Sequence, residues 1–387
     1  MNISREQLED RSILSNSVMW NRQLWGRSKN EPVFAKADIP PAIEVTESGE
    51  VICRFFAPDA ETVSCGFILG EQTELVKGDD GVWTGKLSFD FPGLKVITWR
   101  VNGVEVMNPY APIGYGYGRP MNYVDIPCSE QDYLMIKDVP HGTVVRDWYR
   151  SSTTGEWESC LVYLPPEYFK EDGRRYPVLY LQHGGSQNEN GWVYEAKANF
   201  IADNLIAEGK MEPMIIVMNN GMVQIKQEDG SWQVDTDALE SLLVNDCVPF
   251  IDGKYRTKAD PWERAYAGLS MGSLQGIVIF TRHQDVFASA GLFTGFPMRQ
   301  LEGAPKLRFD FGVGKVFDDA EKFNAGSRLF YLAVGANEPS VAIVKDTSAV
   351  LTEKGIDHVY MDFPGGHEWH VWRACLHDYM QRLFKQQ

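Results

Sequence analysis

The sequence predicts an α/β protein with a mostly parallel sheet, preceded by a small antiparallel β-sandwich. Two observations support this fold class. From about 43 to 106, short segments alternate apolar and polar residues and are separated by turn signals such as Asn102-Gly103, a pattern typical of antiparallel strands. After Cys128, continuous apolar runs alternate with amphipathic helical patterns, which favours parallel strands covered on both faces.

This order of elements divides the chain into three predicted segments. We expect an N-terminal helical or irregular arm over 1–35, the sandwich over 36–128 and the α/β domain over 129–387. Residues 107–128, "MNPYAPIGYGYGRPMNYVDIPC", are rich in Gly, Pro and Tyr and follow neither periodicity. They predict a linker or a long ordered loop.

The α/β domain is predicted element by element from its apolar patterns. Buried runs predict strands, and apolar residues at helical spacing predict helices. The predicted strands lie within 157–166, 176–185 and 211–221 and at 264–268, 286–293, 328–335 and 357–363, and the predicted helices at 194–210, 236–252, 271–283 and 340–354.

Composition excludes several classes of function. The 387 residues carry a formal net charge of −16, so a nucleic-acid partner is not expected. The six cysteines are scattered without a CxxC pair, which predicts neither a zinc site nor a disulfide framework, and no metal or cofactor is expected. No membrane span or signal peptide is visible, so a cytoplasmic protein is expected, or a secreted one if a leader has been trimmed.

The stretch "AYAGLSMGSLQG", 265–276, predicts a nucleophile. Ser270 follows an apolar strand and precedes a helix, which is the strand, sharp turn and helix context of the GxSxG elbow in α/β-hydrolases. Gly268 and Gly272 fit a tight turn where backbone and helix come close. The free N–H groups of the helix N-terminus suit an oxyanion.

A serine nucleophile needs a base, and His367 is the predicted one. It lies in "FPGGHEWHVW", directly after the last predicted strand, at the carboxyl edge where sites of parallel sheets collect. His370 is its rival, three residues later. The HEWH spacing does not match the HExxH helix of zinc proteases. The other five are expected to be structural or surface residues: His141, His183, His283, His358 and His377.

The acid should lie between serine and histidine in the chain, because that is the order in this fold. Glu338 follows the strand "LFYLAVG" and is the predicted acid. The other acids fit this position less well: Asp318, Asp319, Asp357 and Asp362.

The predicted oxyanion hole combines two N–H donors. Met271, the residue after the nucleophile, supplies one, and Gly185 or Ser186 in "LQHGGSQNENGW", 181–192, supplies the other. His183 is expected to order this loop. Gln187, Trp192 and Trp369 are candidate substrate contacts, with simple packing as the alternative for the tryptophans.

These motifs, "LYLQHGG", "MIIVMNNG", "YAGLSMGSLQ", "GAN" and "GGHEWHVWR", resemble in order those of the esterase D and feruloyl esterase group, carbohydrate esterase family one. Residues 135–168 resemble the entry of the enterochelin-esterase-like branch, and 40–110 a carbohydrate-binding-module-like early-set sandwich. The resemblance implies an α/β-hydrolase with Ser270 and His367 in the family's catalytic positions. Glu338 falls where the family usually has Asp.

The resemblance implies a serine carboxylester hydrolase, with feruloyl esters of plant cell-wall oligosaccharides as the expected substrates. Acetylated xylan or siderophore esters are alternatives, as are acyl transfer to a sugar and a non-catalytic carbohydrate-binding role. The expected partner is a small ester, with or without an attached oligosaccharide, and no nucleic acid or membrane. Homo-oligomerisation and carbohydrate binding by the sandwich are left open.

Overall fold

The protein is described by a computed structural model covering residues 41–68, 70–170, 173–299 and 312–385. Contacts divide the chain after Lys137 into two compact units. The short 3₁₀ helix Ser129–Leu134 therefore groups with the first unit. The predicted arm over 1–35 lies outside the described residues.

The first unit consists of antiparallel strands in two sheets. One sheet has the order β1-β2-β6-β5, and the other β4-β3-β7-β10-β9, with β8 paired to β7. Alternating side chains of β2 and β7, such as Cys53 and Trp99, fill the core between them. The strands are β1 (Ile43–Val45), β2 (Val51–Phe56), β3 (Val63–Phe67), β4 (Thr73–Glu74), β5 (Val76–Lys77), β6 (Val82–Leu87), β7 (Gly93–Val101), β8 (Val104–Val106), β9 (Ile113–Gly116) and β10 (Arg119–Ile126).

The prediction of a linker or long loop over 107–128 was wrong. Strands β9 and β10 form a hairpin, and β10 pairs with β7 along five residues. The turn is Tyr117-Gly118, and both residues have positive φ, 53° and 76°, as the two-residue turns of hairpins require. Glycines at Gly114 and Gly116 interrupt the apolar alternation of β9, which is why the pattern did not indicate a strand.

The second unit has one eight-stranded sheet with the order β11-β12-β14-β13-β17-β18-β19-β20 and a separate hairpin β15-β16. Strands β11 and β12 are antiparallel additions, and the remaining six are parallel. The strands are β11 (Thr143–Arg150), β12 (Trp157–Leu164), β13 (Val178–Gln182), β14 (Ile215–Asn219), β15 (Gln224–Lys226), β16 (Trp232–Val234), β17 (Arg264–Leu269), β18 (Ser289–Phe293), β19 (Leu329–Gly335) and β20 (Val359–Phe363).

Helices connect the parallel strands. Short 3₁₀ helices cover Pro261–Glu263 and Gly314–Asp318, and a π-helical segment, Leu242–Cys247, joins two of the α-helices into the single predicted helix over 236–252. The α-helices are α1 (Gly191–Tyr194), α2 (Ala198–Ala207), α3 (Thr236–Ser241), α4 (Val248–Lys254), α5 (Met271–Arg282), α6 (Ala320–Ala325), α7 (Val341–Glu353) and α8 (Trp369–Arg382).

The sheet of the second unit is covered on both faces, as expected for parallel strands. Tyr266 of β17 packs against α5, where a side chain at Gly276 would meet its ring at 2.3 Å. On the opposite face, Tyr379 of α8 packs against Gly291 of β18. The α/β-hydrolase class predicted from the sequence is confirmed, and the carboxyl ends of β13, β17, β19 and β20 lie at one edge of the sheet.

Every helix among the described residues is too short or too polar to cross a membrane. The cellular location stays a prediction.

Candidate active site

The turn between β17 and α5 holds Ser270 in a conformation that few residues adopt. Its φ is 51° and its ψ is −116°, with a positive φ that strains an L-residue. No side chain larger than that of glycine fits at Gly268 or Gly272, the positions on either side of the serine. A Cβ at Gly268 would lie 2.4 Å from the carbonyl oxygen of Gly272, and one at Gly272 would lie 2.5 Å from that of His183. The sharp turn projects the serine at the carboxyl edge, as the elbow pattern predicts.

His367 is hydrogen-bonded to this serine. The distance from its Nε2 to Ser270 Oγ is 2.9 Å, and it lies in the loop that follows β20. The imidazole is 43% exposed, so a substrate can approach it. His370, the rival in the sequence, lies buried in the first turn of α8.

Glu338 orients the other side of the imidazole. Its Oε1 accepts a hydrogen bond from His367 Nδ1 at 2.8 Å and one from Ser340 Oγ at 2.7 Å. The residue is 3% exposed. Burial alone would raise the pKa of this carboxyl, but the hydrogen bonds and the charge of His367 outweigh it and lower the pKa below its usual value.

The other acids considered from the sequence are engaged elsewhere. Asp318 and Asp362 form ion pairs with Lys354 and Lys345. Asp319 caps the N-terminus of α6, and Asp357 lies exposed before β20.

The loops that carry the acid and the histidine are joined by backbone hydrogen bonds. Asn337 N–H donates to Gly365 O at 2.9 Å, and Ala336 N–H donates to Phe363 O at 2.8 Å. A Cβ at Gly335 would lie 2.6 Å from the Gly365 oxygen. The two loops therefore approach so closely that Glu338 and His367 are held as one piece.

Two backbone N–H groups near the serine are the candidate oxyanion donors: Met271 follows the serine in the chain, and Gly185 follows Gly184, at which a Cβ would lie 3.2 Å from Ser270 Cβ. Among the described residues, neither the Met271 N–H nor the Gly185 N–H donates to a protein acceptor. Met271 opens helix α5, and Gly185 is exposed with its Cα facing the Met271 side chain, since a Cβ there would lie 3.9 Å from Met271 Cβ. The Ser186 N–H instead donates to the Met222 thioether at 3.4 Å, which favours Gly185 of the two sequence candidates.

His183 lies buried under this loop. Its Nδ1–H donates to Gly184 O at 2.7 Å, and its Nε2 accepts from the Gly221 N–H at 2.8 Å. Burial lowers the pKa of this imidazole, which stays neutral and joins two loops.

The remaining histidines have structural partners. Those of His141, His283, His358 and His377 are Asp203, Glu240, Ser348 and Gln381, respectively.

The two tryptophans proposed as substrate contacts are buried rather than exposed to a substrate. Trp192 is completely buried, with its ring edge-to-face against Phe293 and Trp369, and Trp369 is buried as well. Neither can offer a ring face to a substrate, so the packing alternative holds for both. Gln187 is half-buried: its Oε1 accepts from the Gly184 N–H at 3.2 Å and its Nε2 donates to Glu195 at 3.4 Å. It braces the loop.

A second group of hydrogen bonds that holds the same loop, centred on Glu189, was not predicted from the sequence. Glu189 is buried and accepts hydrogen bonds from Arg146 of β11 at 2.6 Å and Ser159 of β12 at 2.7 Å. Arg146 also donates to Asn190. No sequence signal indicates this cluster, because the strands and the loop that form it lie tens of residues apart.

The geometry defines a class of protein first: an α/β-hydrolase with a serine, histidine and carboxylate hydrogen-bonded in series at the carboxyl edge of its sheet. The family follows from comparison. The Esterase family model matches residues 151–383, and the chain belongs to that family. The resemblance to an esterase family noted in the motifs is thereby confirmed.

Curated relatives point in the same direction. The chain is 32% identical over 348 residues to an endo-1,4-beta-xylanase/feruloyl esterase of Xylanibacter ruminicola, an alignment that covers 88% of this chain and 46% of the relative. It is 31% identical over 172 residues to an esterase of Mycobacterium tuberculosis, covering 43% of this chain and 34% of the relative. The chain thus spans less than half the length of these relatives.

Solved structures share the fold. A ferulic acid esterase from Anaeromyces mucronatus in complex with ferulic acid superposes with a TM-score of 0.55 at 21% identity, covering 66% of this chain and 95% of that one. The enterobactin esterase of Shigella flexneri superposes with a TM-score of 0.61 at 12% identity, covering 86% and 92%.

Proposed function

We propose that the protein is a serine esterase that hydrolyses feruloyl or related hydroxycinnamoyl esters of plant cell-wall oligosaccharides. The single observation that carries the chemistry is the continuous series of hydrogen bonds from Ser270 through His367 to Glu338. The acyl group is inferred from the feruloyl esterase named among the relatives.

The first step is attack by Ser270 Oγ on the ester carbonyl carbon. His367 accepts the hydroxyl proton at Nε2, because this nitrogen is already hydrogen-bonded to Ser270 Oγ at 2.9 Å. Glu338 holds Nδ1–H and stabilises the imidazolium that forms, which its ionised and low-pKa carboxylate is suited to do. His367 then passes the proton to the leaving alcohol oxygen, and an acyl-enzyme remains.

The second step reverses these roles with water. His367 removes a proton from a water molecule, the hydroxide attacks the acyl carbon, and the carboxylic acid leaves as the proton returns to Ser270. In both steps the carbonyl oxygen becomes an oxyanion. We assign the oxyanion to the N–H groups of Met271 and Gly185, because neither donates to a protein acceptor among the described residues.

The experiment is hydrolysis of methyl ferulate, acetylated xylan, short p-nitrophenyl esters and enterobactin by the wild type and by Ser270→Ala. We expect methyl ferulate to be cleaved and Ser270→Ala to lose nearly all hydrolysis while its unfolding temperature stays close to wild type. If the wild type cleaved only acetylated xylan or only enterobactin, the assignment of a hydroxycinnamoyl acyl group would be wrong.

A fluorophosphonate probe gives an independent test of the nucleophile. It should label the wild type and not Ser270→Ala. A wild type that the probe does not label would favour the non-catalytic carbohydrate-binding alternative, and a feruloyl sugar product in the presence of a sugar acceptor would favour acyl transfer.

A further inference from the structure

Four tryptophans of the second unit are exposed, Trp148, Trp157, Trp232 and Trp262, and the first two lie side by side on the antiparallel strands β11 and β12. Trp148 of β11 is 56% exposed and Trp157 of β12 is 63% exposed. Tryptophan is favoured in strands, but a large apolar ring on the solvent face of an edge strand invites aggregation. Two such rings lie together on one hairpin at the edge of the sheet.

The strand register places both rings on the same face of the sheet. Trp148 pairs with Ser159, and Arg150 pairs with Trp157, so the two tryptophans are diagonal neighbours. Diagonal neighbours across an antiparallel pair are roughly 7 Å apart, within reach of large side chains. The rings can form one continuous platform.

This platform lies at the same edge of the sheet as the candidate active site. Strand β12 runs antiparallel to β14, and its Cys160 pairs with Asn219 at the carboxyl end of β14. Trp157 precedes Cys160 by three residues in the chain, so it lies beyond the carboxyl end of β14. Strand β12 is three positions from β17 in the sheet. Strand spacing then gives a lateral separation of about 14 Å between the Trp157 and Ser270 strands.

The polar groups around the rings show which chemistry the platform suits. Arg146 and Arg150 lie on the same face, and each faces a glutamate: Glu189 at 2.6 Å and Glu156 at 3.9 Å. The face therefore carries paired charges, which suit the hydroxyl groups of a neutral ligand better than an anion. Glu189 also belongs to the loop of Gly185, so the platform continues into the active-site loop.

We propose that Trp148 and Trp157 bind a neutral oligosaccharide on the alcohol side of the scissile ester. The C–H faces of pyranose rings stack on exposed indole rings, and the flanking polar side chains hydrogen-bond the sugar hydroxyls. A glycan reaches from Ser270 to the platform, whereas a methyl ester does not. This inference rests on the proposed function, because it names the leaving alcohol of the same reaction.

The test compares two substrates in Trp148→Ala, Trp157→Ala and the double variant. We expect kcat/KM for a feruloylated arabinoxylan oligosaccharide to fall roughly three- to tenfold per tryptophan, the range of an aromatic stacking contact. The value for methyl ferulate should stay at the wild-type level. Trp148→Phe and Trp157→Phe should recover part of the loss, because a ring face remains.

Trp262→Ala is the matched control. Trp262 is 45% exposed but precedes β17 at the opposite edge of the sheet, so Trp262→Ala should leave kcat/KM unchanged for both substrates. An unchanged ratio of the two kcat/KM values in the double variant would overturn the inference, as would an equal loss on both substrates. A wild type that cleaves neither substrate would instead overturn the proposed function.

Discussion

Glu338 and His367 share a hydrogen bond of 2.8 Å between Oε1 and Nδ1, although the glutamate is almost fully buried and the histidine is half-exposed. The bond fixes the tautomer in which Nε2 faces Ser270. We predict that this glutamate takes the role that aspartate usually has in the family the motifs resemble.

Glu338→Ala should lower kcat on methyl ferulate by about 10³-fold, because the imidazolium loses its stabilising charge and Nδ1–H its acceptor. KM should change little. Steady-state kinetics of Glu338→Ala and Glu338→Asp measure this effect, and the aspartate, one methylene shorter, should retain part of the rate. A variant with the full rate would move the acid to another residue.

The lowered pKa of Glu338 predicts a pH-dependent contribution to stability. The folded state holds the carboxylate more strongly than the unfolded state, so the contribution is fully present above the ordinary glutamate pKa, about 4.3. It is lost as the pH falls through the folded-state pKa. Urea unfolding of the wild type and Glu338→Gln between neutral and acidic pH should show a difference that shrinks toward acid; a constant difference would contradict this prediction.

Gly268→Ala should destabilise the fold by about 1–3 kcal/mol, because its Cβ would overlap the Gly272 carbonyl and backbone atoms cannot move aside cheaply. Gly253→Ala is the control. That glycine lies in helix α4 with nothing within 4 Å of its Cβ position, so alanine should be neutral or stabilising by up to about 1 kcal/mol. Equal unfolding energies for the two variants would show that the elbow tolerates a side chain.

Gln187→Met should lower kcat about tenfold with little change in KM or unfolding temperature. Methionine keeps the shape but removes the hydrogen bonds to Gly184 and Glu195, which leaves the Gly185 N–H less well aimed at the oxyanion. A rise in KM at constant kcat would instead identify Gln187 as a direct substrate contact, the role first considered for it.

The parts of the site that sequence reasoning found each follow a strand directly. Ser270, Glu338 and His367 come one to four residues after β17, β19 and β20, and parallel strands bring their carboxyl ends to one edge regardless of how far apart they lie in the chain. Their conjunction was therefore predictable from the GxSxG pattern, the chain order of the three residues in this fold and the order of the strands.

The parts that it missed depend on tertiary packing. Trp192 resembles a stacking residue in the sequence, yet Trp369 and Phe293 enclose it. Glu189 resembles an exposed loop acid, and only the placement of β11 and β12 supplies Arg146 and Ser159. The β9–β10 hairpin was missed for a local reason, since glycines interrupt its alternation.

The shared backbone bonds between the Glu338 and His367 loops have a consequence for engineering. Because Asn337 and Ala336 donate to the strand end and loop of the histidine, the two loops must be transplanted or redesigned together. A loop exchange that lengthens one by a residue would shift the carboxylate relative to the imidazole.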